Sequence, residues 1–114
     1  MSMEEIREPT FLVLAALADG AKHGYALIKE VEGISSGRVT LRAGTLYAAL
    51  GRLAEGGLIH QSGEEVVDGR LRRYYDLTEA GAEALAAQTT RLRQNVVEAD
   101  RRLRARARLG KAPA

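Results

Sequence analysis

The chain contains no cysteine and no tryptophan, and its aromatic side chains are one Phe and four Tyr. Without cysteine there are no disulfides and no thiolate metal ligands, which fits a reducing cytoplasm. His23 and His60 supply too few ligands for a metal site of the usual kind, so none is assigned. The longest apolar stretch, Phe11 to Ala18, has the length of a buried helix and falls far short of a bilayer span. No signal pattern opens the chain, and no membrane association is expected. A nucleophile–base couple, a pair of catalytic carboxylates and a glycine-rich phosphate loop ahead of a helix are also missing. Neither enzyme activity nor a cofactor is therefore expected.

At 114 residues the chain has room for one small domain with an appended helix. A domain of that size gains from sharing its core with a second copy. The net charge of +2 is unevenly spread. Residues 1–90 hold nine Lys/Arg and thirteen Asp/Glu, a balance of −4, whereas residues 91–114 hold eight and two, a balance of +6. An anionic partner would have to be met by a local basic patch on an acidic body.

Pro9 suits the start of a first helix, followed by the apolar run Phe11-Leu12-x-Leu14-Ala15-x-Leu17 and stopped by Asp19-Gly20. A second helix begins near His23-Gly24, and Gly33 to Gly37 is a turn region. Val39-Thr40-Leu41 could be a short extended segment. The third helix, about Ala43 to Glu55, carries Leu46, Leu50 and Leu53 on one face and ends at Gly56-Gly57. Small residues on its other faces would let it approach a groove closely. Leu58-Ile59 opens a strand to about Val67, Asp68-Gly69 signals a two-residue hairpin turn, and Arg70 to Leu77 returns. Thr78 suits the N-cap of a last helix from Glu79 to about Leu109. Along it Leu85, Leu92, Val96, Ala99 and Leu103 recur at nearly coiled-coil spacing.

A groove-sized helix followed at once by a hairpin with arginines at its tip is the order of parts in a winged helix-turn-helix. The expected fold is mostly α (α+β). Residues 9–78 form the winged helix-turn-helix DNA-binding domain, with a two-stranded β-hairpin wing. Residues 79–109 form a long C-terminal dimerisation helix, and 1–8 and 110–114 are disordered.

Five pieces in this order carry a family resemblance. They are the Leu-rich first helix, Gly20-x-x-His23-Gly24-Tyr25, Gly44-Thr45-Leu46-Tyr47-x-x-Leu50-x-Arg52-Leu53, Gly57-Leu58-Ile59, and Arg73-Tyr74-Tyr75-x-Leu77-Thr78-x-x-Gly81. Over about residues 9–105 the chain resembles the PadR-like transcriptional regulators, in the short form with a single C-terminal helix. The resemblance implies a homodimer that binds a pseudo-palindromic operator in double-stranded DNA and represses. It places the third helix in the major groove, the wing on the backbone and the last helix in the dimer. Some members release DNA when a flat aromatic compound binds between the subunits, so a small-molecule effector could sit at the dimer interface. Residues 79–114 contain no aromatic for it to stack on, and Phe11 is the one candidate nearby. The chain departs from the family at Arg42 and Ala43, where a capping serine and a proline are common. It departs again at Ala48, often proline, and at Gly51, often charged.

For DNA contact the candidates are Arg42, Thr45, Tyr47, Arg52, Arg70, Arg72 and Tyr25. Arg42 replaces a cap worth roughly 0.5–2 kcal/mol and sits unfavourably with the helix dipole, unless a phosphate binds there. Alternatively Thr40 caps and Arg42 is merely solvated. Arg52 could instead pair with Glu55, and Tyr47 could pack under the wing. A two-residue turn puts Glu65 opposite Arg72 and Glu64 opposite Arg73, which leaves Arg70 without an acidic partner across the hairpin. Tyr25 and His23 open the second helix, with a phosphate contact or a packing role. The Arg-rich tail reads as the solvated face of an amphipathic helix rather than as a DNA site. For the dimer interface the candidates are Phe11, Leu12, Leu14, Leu85, Leu92, Val96, Ala99 and Leu103. The competing reading is a winged-helix protein-interaction module without specific DNA binding, which the acidic body and the uncharged position 51 favour slightly.

Overall fold

The computed structural model describes residues 6–110; 1–5 and 111–114, assigned to disordered ends, lie outside them. Residues 6–8 depart from that assignment, because Ile6 packs against the core and Glu8 opens the first helix. Helix α1 (Glu8–Leu17) carries Glu8 in its first turn, where a carboxylate is favoured by the helix dipole. Arg38 grips that carboxylate with both terminal nitrogens, at 2.9 and 3.3 Å. The hydrogen bond, and after it the charge of Arg38, holds the Glu8 carboxyl below its ordinary value. At the other end α1 has no basic residue of its own. Lys22 supplies one, donating to the Ala16 carbonyl at 2.7 Å and to the Asp19 carboxylate.

Lys22 belongs to β1 (Lys22–His23), a strand absent from the sequence reading. It pairs antiparallel with Tyr74 and Tyr75 and turns the hairpin into a three-stranded sheet. His23 is also the N-cap of α2 (Gly24–Ile34), its Nδ1 accepting from the Ala26 N–H at 3.3 Å. Helix α2 unwinds through Ser36 and Gly37, both at positive φ, with the Gly37 N–H donating to the Glu32 carbonyl at 2.8 Å. Residues 39–41 form no strand. Buried Ser35 ties them to α2 by accepting from the Val39 N–H at 3.0 Å.

Helix α3 (Ala43–Glu55) is capped by Arg42, not Thr40, and without a side-chain hydrogen bond. It ends in a Schellman turn on Gly57, φ +76°, with the Leu58 N–H on the Leu53 carbonyl at 3.0 Å. Strands β2 (Ile59–Val67) and β3 (Arg70–Leu77) meet at Asp68 and Gly69, both at positive φ as a type I′ turn demands. The sheet order is β1-β3-β2, with a bulge between Gln61 and Gly63.

Helix α4 (Glu79–Arg108) starts on a clamp. The Thr78 hydroxyl donates to the Gly57 carbonyl at 2.6 Å and accepts from the Gly81 N–H at 3.0 Å. A Cβ at Gly81 would lie 1.9 Å from the Leu58 carbonyl oxygen. The Thr78-x-x-Gly81 motif therefore locks α4 against the α3–β2 turn. The core is aliphatic, built from Leu12, Val13, Leu14, Leu17, Leu27, Val31, Leu46, Leu50, Leu53, Leu58 and Ile59. From residue 90 to 104 every position of α4 is exposed, and the described residues span 63 × 27 × 21 Å.

Candidate nucleic-acid interface

Helix α3 buries Leu46, Ala49, Leu50 and Leu53. Its opposite face, at i, i+4 and i+7, is Gly44, Ala48 and Gly51, all exposed, with Glu55 beyond them. A Cβ at Gly44 or Gly51 would meet nothing within 4 Å. Close approach to a helix of the same protomer is thereby removed as the reason for Gly51. The outward face of α3 is a nearly bare strip of backbone.

The expected contact residues flank this strip. Thr45 and Arg52 lie on one side and line a groove of about 170 Å³ against Arg7 and Pro9 at the start of α1. Arg52 forms no ion pair with Glu55 among the described residues. Arg7 is not legible as a site residue in the sequence, because only the fold brings the start of α1 beside Thr45 and Arg52. On the other side Tyr47, 51% exposed, faces the wing. Its hydroxyl lies over Gly24, where a Cβ would come within 2.3 Å, so the tip of the ring packs on the start of α2. The His23-Gly24 pair thus caps α2 with one residue and makes room for Tyr47 with the next.

Tyr25, Tyr47, Arg70 and Arg72 line one cleft of about 370 Å³, together with His23 and Gly24. Tyr25 is exposed, with the Lys29 ammonium 5.3 Å from its ring centroid. Arg70 stands opposite Val67 and has no ion pair among the described residues. Arg73 does pair with Glu64, at 3.7 Å. Arg72 differs from expectation. Glu65 is its partner in register, yet the Glu65 carboxylate accepts from the Tyr74 hydroxyl instead. That hydrogen bond, then partial burial, pushes the Tyr74 hydroxyl pKa up, against a smaller downward pull from the charge of Arg72 and from its hydrogen bond to the same hydroxyl.

Of the residues expected at a dimer interface, Leu12 and Leu14 are corrected. They face inward in the protomer's own core, and Leu14 at 0% exposure has no area left to offer. Phe11 and Leu85 are partly buried against that core. Leu92, Val96, Ala99 and Leu103 are exposed along one face of α4.

A three-helix body, a wing and a bare third helix define the winged helix-turn-helix class of transcriptional regulators. The chain belongs to the transcriptional regulator PadR-like family, whose pattern it matches over residues 13–87, and that family consists of regulators rather than enzymes. Over 74 residues it is 46% identical to an uncharacterized 37.1 kDa protein of transposon TN4556 from Streptomyces fradiae, covering 65% of this chain and 20% of that protein. Over 73 residues it is 42% identical to the transcriptional regulator Rv3488 of Mycobacterium tuberculosis, covering 64% of each. The match thus spans a fifth of one relative and just under two thirds of the other. A PadR family regulator from Clostridium difficile shares the fold at a TM-score of 0.71 and 24% identity, over 85% of this chain and 99% of that one. Bacillus subtilis PadR, solved in complex with operator DNA, shares it at 0.65 and 19% identity, over 73% and 47%. No described helix is long and apolar enough to cross a membrane.

Proposed function

We propose that this chain is a sequence-specific, double-stranded-DNA-binding transcriptional regulator of the cytoplasm. It represses as a homodimer on a pseudo-palindromic operator. The observation that carries the reading is the bare strip Gly44–Ala48–Gly51 between two sets of contact residues. An α-helix with its side chains measures about 10–12 Å across, and the major groove about 12 Å. A helix trimmed to backbone on its leading face can therefore seat deeply. Thr45 and Arg52 then meet base edges, as Thr suits a thymine methyl and Arg takes guanine bidentately. Tyr25, Tyr47, Arg70 and Arg72 meet the sugar–phosphate backbone from the wing side. Arg42 and the uncapped first-turn N–H groups of α3 form an anion seat at the helix start.

Self-association is supported by the apolar face of α4, where Leu92, Val96 and Leu103 are exposed. A dimer through that face would place two α3 helices on half-sites roughly 34–36 Å apart. An effector, if the protein takes one, would have to sit in that interface without an aromatic of α4 to stack on.

The test is selection of operator sequences from random DNA, followed by gel shift of the enriched sequence against unlabelled competitor. Saturable, competitor-resistant binding to an inverted repeat is expected. Equal binding to selected and random DNA would overturn the reading in favour of a protein-interaction module.

A further inference from the structure

We infer that Tyr74 is a positioning residue of the wing: its hydroxyl stands between the Glu65 carboxylate and the Arg72 guanidinium, so that Arg72 is held by a neutral oxygen rather than by a carboxylate and can turn to a DNA phosphate. The inference rests on the DNA-binding reading. Its starting point is the register. Glu65 and Arg72 are direct partners across the hairpin, and opposite charges so placed ordinarily pair. The next rung shows that outcome, with Glu64 and Arg73 paired at 3.7 Å. At the Glu65 rung the ion pair is missing among the described residues, and Tyr74, two residues along the same face as Arg72, donates to Glu65 instead.

The hydroxyl is placed by the body of the domain, not by the wing alone. The Tyr74 ring meets the His23 ring edge-on, with centroids 5.4 Å apart. His23 is itself pinned twice, by pairing with Tyr74 across the sheet and by capping α2. Held by the neutral Tyr74 hydroxyl rather than by Glu65, Arg72 lines the same cleft as Arg70, Tyr25 and Tyr47. On a body whose first 90 residues carry a balance of −4, one guanidinium freed of its carboxylate matters to a polyanion.

Tyr74→Phe deletes the hydroxyl and keeps the ring on His23. Glu65 should then pair with Arg72, and operator affinity should fall severalfold. The log–log salt slope of binding should shrink in magnitude by about 1, the loss of one phosphate contact. In DNA-free protein the Arg72 Nε–H, followed by NMR, should become protected from solvent exchange. Adding Glu65→Gln to Tyr74→Phe should restore the slope and remove the added protection of Arg72, which no merely structural role of the hydroxyl would allow. An unchanged slope in Tyr74→Phe, a loss that Glu65→Gln does not rescue, or unchanged Arg72 exchange each overturns the inference. Wild-type protein that binds no DNA would sink the regulator reading instead, and the exchange measurement would still decide whether Tyr74 sets the partner of Glu65.

Discussion

Gly51 within α3 and Arg42 at its N-cap both give up local stability, and both are exposed. Gly51 is in the helix interior with open space where a Cβ would stand. Gly51→Ala should therefore raise stability by about 0.4–1 kcal/mol in urea denaturation, because nothing in the protomer opposes the methyl. The same variant should weaken operator binding in a gel shift, since the methyl enters the space a groove would fill. Stabilisation without loss of binding would show that the backbone at Gly51 does not approach DNA. Arg42 stands at the N-cap with no cap bond. Arg42→Ser should stabilise the helix by roughly 0.5–2 kcal/mol and lower DNA affinity, again moving the two readouts in opposite directions. At this scale the sequence was partly legible. Arg42 and Arg70 stood out because the rules for caps and for cross-strand pairs make their exceptions visible. The partner of Glu65 did not, since register alone predicts Arg72 and the choice of Tyr74 depends on where His23 holds the ring. Leu12 and Leu14 were misplaced because an all-apolar helix does not declare which of its faces meets the protomer and which a partner.

The elements were more legible than their contacts. Helix α3 spans Ala43–Glu55 and the hairpin turns on Asp68-Gly69, as glycine and turn chemistry dictate. Strand β1 was not legible, because two residues are too few to show the alternation that marks a strand. Its existence follows from Lys22 reaching back to close α1 and from His23 capping α2. Thr78 is legible as an N-cap, but the role of Gly81 in the Thr78-x-x-Gly81 motif is a matter of space. Gly81 presses on the Leu58 carbonyl, which is backbone and cannot swing aside. Gly81→Ala should cost roughly 1–3 kcal/mol of stability, the range for overpacking, although alanine is the better helix former. A thermal melt at or above that of the wild type would mean that α4 is not clamped to the α3–β2 turn as described.

The whole molecule is a compact acidic head on a long basic stalk. From residue 90 to 104 every position of the stalk is exposed, yet it remains helical to Arg108. Local bonds help, with Glu98 held by Arg101 and Arg102 at 2.6 and 2.7 Å, but solvent and salt screen exposed pairs of this kind and they add little. Most helical stability in proteins comes from packing an apolar face, and here that face is uncovered. Val96, at 59% exposure, lies between Leu92 and Leu103 on it. If a second copy covers the stripe, Val96→Asp should weaken self-association at least about tenfold, some 1.4 kcal/mol, in sedimentation equilibrium. The helix-turn-helix head, whose core lies elsewhere, should keep its fold. Affinity for a two-half-site operator should fall with the dimer, because one head alone loses the effective concentration supplied by its tethered partner. Affinity for a single half-site should hardly change. Equal loss on both DNA targets would place the defect in the head, whereas an unchanged oligomeric state would mean that another surface joins the subunits.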